Sequence, residues 1–157
     1  MFATRLVQLI EAHADKLAEG LVYKLQHEQR CQAFMEKVPA QELRVRTYEI
    51  YRHLGDWLLD KTESEIEERY VGVGTRRARQ EVSYSDLYWV VMATKEYLWE
   101  YLEREGLLEE PVELFGELNL LHHLEHFFDR ALYFTAIGYE NVQREKDADA
   151  AALAAAV

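Results

Sequence analysis

The stretch SYSDLYWVVMATKEYLWEYLER, residues 83–104, decides the fold. Ser83 and Asp86 have the Ser-x-x-Asp spacing of a capping box, in which the hydroxyl satisfies a backbone N–H of the first turn, so a helix is predicted from about 84 to 105. Leu87, Val91, Leu98 and Leu102 recur at helical spacing and form its apolar stripe, while Trp89, Met92 and Trp99 lie off that stripe. A helix that is apolar on more than one side is either central or offers its second side to a partner. Trp89, Met92 and Trp99 are therefore the candidate interface residues.

Helical spacing continues in both directions. Leu6, Ile10, His13 and Leu17 share one stripe, and Leu21 and Leu25 begin another after Gly20, which predicts two short helices or one helix bent at the glycine. Pro39 marks a boundary, and Leu43, Thr47, Ile50, Leu54 and Trp57 then form a stripe to about residue 60. A further helix is predicted over 63–80 with Ile66, Tyr70 and Val73 inward; Gly72 and Gly74 either loosen it or let another backbone approach closely. Gly106 is a natural stop and Pro111 suits a first helical turn, so the last helix is predicted over about 112–145. The expected fold is all-α, a single domain of about six helices, globin-like or a helical bundle. Residues 1–142 form the domain and 143–157, rich in alanine and without a large apolar stripe, are expected to be a flexible tail.

Composition narrows the function. A chain of 157 residues matches about one domain and can bury one core. Its 29 acidic against 18 basic residues give a formal net charge of −11, the wrong sign for general affinity to a phosphate backbone, and the only basic patch, TRRARQ at 75–80, is short. No nucleic acid is expected as a partner. Cys31 is the single cysteine, which excludes an intramolecular disulfide and fits a reducing compartment. No signal peptide is legible, and no apolar run approaches the ~20 residues of a membrane span, so a cytoplasmic protein with no membrane partner is expected.

The sequence HHLEHFFDR, residues 122–130, is the densest cluster of chemically active side chains. At about 100° per residue, Leu120, Leu121, Leu124, Phe127, Phe128, Ala131, Leu132 and Phe134 fill one broad face, and His122, His126, Asp129 and Tyr133 point the other way. His122 and His126, at i and i+4, can chelate one metal ion, which leaves heme or metal binding as an alternative. Buried di-metal sites in bundles use Glu-x-x-His motifs projecting into the core, and none occurs here. A solvated or partner-facing surface is the simpler reading, with no cofactor. Glu49 and His53 form another i, i+4 pair at the edge of their stripe, and His13 and His123 fit hydrogen-bonded core histidines or ligand contacts.

Two cations fall on apolar faces. Arg77 continues the side of Ile66, Tyr70 and Val73, and Lys95 lies beside Val91, Leu98 and Leu102. A buried cation needs a carboxylate or an anionic ligand because its desolvation is otherwise too costly; Glu117 is one possible partner. Either the two side chains snorkel to water, or an anion or small-molecule pocket forms near Arg77, with Tyr70, Trp57, Tyr101 and Lys95 as the other candidate ligand-binding residues. There is no G-x-S-x-G, Walker loop or G-x-G-x-x-G, and Cys31 lies in no motif, so no enzyme is expected.

The stretch YVGVGTRRARQEVSYSDLYWVVMATKEYLWEYL, residues 70–102, resembles the N-terminal domain family of RsbT co-antagonist proteins. The resemblance rests on Gly74, Arg76, Arg77, Ala78, Gln80, Val82, Ser85, Leu87, Leu98, Trp99 and Glu100, taken in order. FFDRALYF at 127–134 is similar to the family's last helix, and lower similarity extends over about residues 5–142. Glu81 stands at the family's Gly, Ser83 at its Pro and Tyr84 at its Leu. The resemblance implies an all-α sensory or regulatory module of stressosome type, related to globins without heme, that signals through a regulatory protein partner or as a homodimer.

Overall fold

The computed structural model describes the backbone of residues 2–105 and 111–156 and the side chains of 5–105 and 118–156. Its elements are α1 (Phe2–Ala12), α2 (Ala14–Gln26), a 3-10 turn (Gln29–Cys31), α3 (Gln32–Lys37), α4 (Ala40–Arg52), a π-helical turn (Asp56–Asp60), α5 (Glu63–Arg79), α6 (Tyr84–Arg104) and α7 (Pro111–Ala156). No strand occurs among the described residues, and the all-α expectation holds.

Helix boundaries follow local chemistry. The first break falls at His13 rather than Gly20: the Leu9 carbonyl there takes both the His13 backbone N–H at 3.1 Å and the His13 Nδ1 at 2.9 Å. Gly20 lies inside α2, where its bare Cα makes room for the Tyr97 ring. Thr62 and Glu65 close a complete capping box at the start of α5, and the Ser83 hydroxyl accepts from the Asp86 N–H at 3.2 Å to start α6. Between these helices, Val82 N–H bonds to Arg77 O and Glu81 N–H to Ala78 O, the paired bonds of a Schellman turn. The turn needs a left-handed residue, and Glu81 supplies it at φ 61°. Gly106 lies outside the described residues. Pro111 opens α7, where its missing N–H leaves no helical bond unmade. That helix continues through residues 143–156, expected from the sequence to be a flexible tail; the alanines there have the highest helix propensity and need no buried stripe to be helical.

Burial places α6 at the centre, with Leu87, Val90, Ala93, Leu98, Tyr101 and Leu102 all buried. Its C-terminal half packs with α1, the start of α2 and Leu120, Leu121 and Leu124 of α7. Its N-terminal half packs with the end of α2, Cys31, Phe34, Val38 and Leu43. A third cluster joins Ile66 of α5 to Phe127 and Phe134 of α7.

The most extensive helix pair is α5 with α7. The two run side by side in the same direction, from the Glu63–Arg130 ion pair at 2.9 Å to Arg79–Glu145 at 3.3 Å. Glycine permits this approach. A Cβ on Gly74 would strike the Thr135 carbonyl, and one on Gly138 would strike the Val71 carbonyl and the Thr75 nitrogen. Gly72, by contrast, faces open space.

Gly74→Ala and Gly138→Ala should each destabilise the protein by about 1–3 kcal/mol through overpacking. Gly72→Ala should stabilise it by about 0.5–1 kcal/mol. Urea unfolding of the three variants checks both signs; equal effects would show that the two helices do not meet at the glycines. Replacing Glu81 with Gly should relieve about 1 kcal/mol of left-handed strain, read as a rise in Tm of a few degrees.

Candidate functional site

Four helices line a half-open cavity of about 150 Å³, with Phe34 of α3 completing its wall. Arg46, Thr47, Ile50 and Tyr51 come from α4, Arg69, Tyr70, Val73 and Arg77 from α5, Leu87, Val90, Val91 and Thr94 from α6, and Phe127, Phe128, Ala131 and Thr135 from α7. The threonines on α6 and α7 are internally satisfied: Thr94 Oγ1 donates to Val90 O at 2.8 Å and Thr135 Oγ1 to Ala131 O at 2.6 Å. The polar character of the wall rests on its arginines and tyrosines.

Arg77 is only 3% exposed, so it does not snorkel. Its guanidinium donates to Glu42 Oε1 and Gln80 Oε1, each at 2.8 Å, and Gln80 Nε2 donates to the other Glu42 oxygen at 3.3 Å. Arg46 approaches the same carboxylate at 3.5 Å. Burial alone would raise the Glu42 pKa, but the bonds and charge of Arg77, with help from Gln80 and Arg46, outweigh it and hold the carboxyl below its ordinary value. Glu117, considered from the sequence as a partner for a buried cation, has a side chain outside the described residues; Glu42 fills that role for Arg77.

The cations outnumber their carboxylates. Burial and then the charges of Arg46, Arg77 and Arg69 depress the Arg76 pKa, against which Glu42 acts alone among the acids. Arg69 meets Glu49 only at 3.8 Å and stacks over Trp57 at 5.3 Å. The Nε atoms of Arg46 and Arg69 are buried without a hydrogen-bond acceptor, as is the Tyr51 hydroxyl. Burial pushes the Tyr51 and Tyr70 phenols well above their usual range, so both remain neutral.

The candidate ligand residues therefore separate. Tyr70 and Arg77 line the cavity, and Trp57, set by the π-helical turn, packs edge-on against Tyr70 at 6.2 Å behind it. Tyr101 packs instead into the α1 side of the core, because ten residues along α6 from Val91 are about 15 Å. Lys95 reaches the half-exposed surface and bonds Glu125 of α7 at 3.0 Å. Arg46 and Arg69 were missed from the sequence. Arg46 falls between the stripe residues Leu43 and Thr47, and Arg69 sits one position before Tyr70; only the placement of α4 and α5 on facing walls of the cavity turns both toward one space.

The other candidates are placed as follows. His122 and His126 are exposed on the side of α7 opposite Leu124 and Phe127, and His123 is half-buried. No group of three or more His, Cys, Asp or Glu side chains that could hold a metal occurs among the described residues. His53 is exposed at the end of α4. Trp89, Met92 and Trp99 are half-buried. The Trp89 Nε1–H donates to Glu28 at 3.0 Å, with Arg30 over its ring at 4.7 Å, and Trp99 packs on the core. Cys31 is fully buried, and burial, followed by the charge of Glu28, pushes its thiol up to about 11. Of the three arginines in TRRARQ, Arg77 is buried and Arg79 pairs with Glu145.

The model of the RsbT co-antagonist protein rsbRD N-terminal domain matches residues 5–154, nearly the whole chain. The chain belongs to this family. No curated protein and no solved structure matches it. In this family member the turn from α5 to α6 departs from the family pattern at three positions. Glu81, at the family's Gly, has a left-handed φ of 61°; Ser83, at its Pro, caps α6; and Tyr84, at its Leu, donates its hydroxyl to the Leu132 carbonyl of α7 at 3.2 Å. The same turn positions Gln80 against Glu42 and Arg77.

A Glu42→Gln variant should be less stable than the unaltered chain at neutral pH. The folded carboxyl is depressed below 4.5, so its contribution is complete above pH 4.5 and is lost as the pH falls through the folded value. The difference in Tm should therefore narrow steadily below pH 4.5; a constant difference from pH 7 to pH 3 would remove the charge of Glu42 from the account.

Proposed function

We propose that this protein is a cytoplasmic, non-enzymatic signalling module that senses a small ligand and transmits its state through protein contacts, as a homodimer and with a regulatory partner. The observation that carries the reading is membership of a family of stressosome-type signalling domains over nearly the full length. The family's description names RsbT, so an RsbT-type protein, or the complex that restrains one, is the partner to try first. The cavity between α4, α5, α6 and α7 is the place for the ligand: it reaches the four helices whose relative positions set the outer surface. No helix among the described residues is long and apolar enough to cross a membrane, consistent with a module that works in solution.

A heme- or metal-binding sensor at His122 and His126 is the competing reading. It has two exposed donors, and no third protein donor joins them among the described residues. Protein purified without chelators and offered heme should show no stoichiometric Soret band or metal that disappears in His126→Ala. Sedimentation velocity on the chain alone and with a purified RsbT-type protein should give a dimer and a defined complex. A chain that stays monomeric at high concentration and forms no complex would sink the signalling proposal.

A further inference from the structure

We infer that the cavity between α4, α5, α6 and α7 binds a small amphipathic carboxylate, with its apolar body against Phe127, Val90 and Val91 and its carboxylate on Arg46 and Arg69. This deepens the sensing reading and rests on it for biological meaning, but the binding itself stands on the geometry alone.

Three features define the ligand. The first is size: about 150 Å³ is the volume of a cavity that takes a single benzene-sized ring, so the apolar body is one ring or a short branched chain. The second is the wall. Aliphatic and aromatic side chains dominate it, and the Thr94 and Thr135 hydroxyls are already bonded to carbonyls of their own helices, so a sugar or another polyol would find few partners there. The third is charge. In a chain of net charge −11, three arginines converge on this one cavity, while Glu42 and Glu49 lie outside its lining.

The arginines have separate roles. Arg77 donates through Nη1 to both Glu42 and Gln80, so its charge is already met by a carboxylate and it ties α5 to α4. Arg46 meets Glu42 only through its buried Nε at 3.5 Å, with no hydrogen bond made, and Arg69 meets Glu49 only at 3.8 Å while its buried Nε–H makes none. An unmet buried donor on a cation costs more than an unmet neutral one, and a carboxylate satisfies it with a charge-assisted bond. Arg46 is on α4 and Arg69 on α5, so a bridging anion would draw those helices together. Such a ligand would couple occupancy to the packing of α5, and through Gly74 and Gly138 to α7.

Phenylacetate is a suitable probe, compared by titration calorimetry with toluene, which keeps the ring, and with inorganic phosphate, which keeps only a charge. The full chain should bind phenylacetate saturably at one site and at least about tenfold more tightly than either comparison compound. Arg46→Met and Arg69→Met should each weaken it about tenfold or more, the loss of one charge-assisted bond. Val91→Phe should abolish binding by filling the space while Tm stays within a few degrees. If an arginine variant fails to fold, the three compounds on the unaltered chain decide. The inference is overturned by toluene binding as well as phenylacetate, by phosphate binding as well as phenylacetate, or by no saturable binding at all. Phenylacetate binding without any dimer or partner complex would leave this site standing and remove the signalling proposal; the reverse result would remove only the site.

Discussion

The close approach of α5 and α7 is the constraint on which the rest of the structure depends. Two helices bearing ordinary side chains sit 8–10 Å apart, but at Gly74 and Gly138 the backbones of this pair come nearly into contact. Everything on α5 is oriented by that contact. With Gly74 against α7, the next part of the helix surface, carrying Tyr70, Val73 and Arg77, turns toward α4 and α6. Below the glycines, Tyr70 and Phe127 meet edge-on at 5.6 Å, and their bulk keeps the helices from closing further. The cavity lies where small residues end and large rings begin.

Placing Arg77 inside that arrangement has a cost that the surrounding residues must offset. A buried guanidinium without a partner would unfold a marginally stable domain. Here Glu42 arrives from α4 and Gln80 from the end of α5, so the cation is met by a carboxylate and an amide that also bond each other. The Schellman turn at Glu81 sets Gln80 in place, and Lys37 donates to the Glu81 carbonyl at 2.7 Å, tying α3 to the same turn. Turn geometry, helix packing and the buried charge are therefore one linked unit. The residues from Gly74 to Ser85 that resemble the family pattern span this unit.

Much of the helical framework was legible because amphipathic spacing and caps are local signals. The Ser83 cap, the α6 span, the inward face of α7 and the outward His122 and His126 all follow from angles along one helix. The errors have local and non-local causes. The break at His13, where the side chain shares the Leu9 carbonyl with its own backbone N–H, is one that apolar periodicity does not reveal. Residues 143–156 lack an apolar stripe, yet alanine is helical without one. Tyr101 and Lys95 share a helix with the cavity residues but not their height or their neighbours.

The sequence by itself determined that this chain is all-α, that a strongly apolar helix spans about residues 84–105, and that it belongs to a regulatory family, because period, caps and a short ordered motif are properties of consecutive residues. Which cation is buried, which carboxylate meets it and which arginines face the cavity were decided only by tertiary structure. Those facts depend on the distance and rotation between helices far apart in the chain. In this protein, two glycines 64 positions apart, at 74 and 138, set that distance.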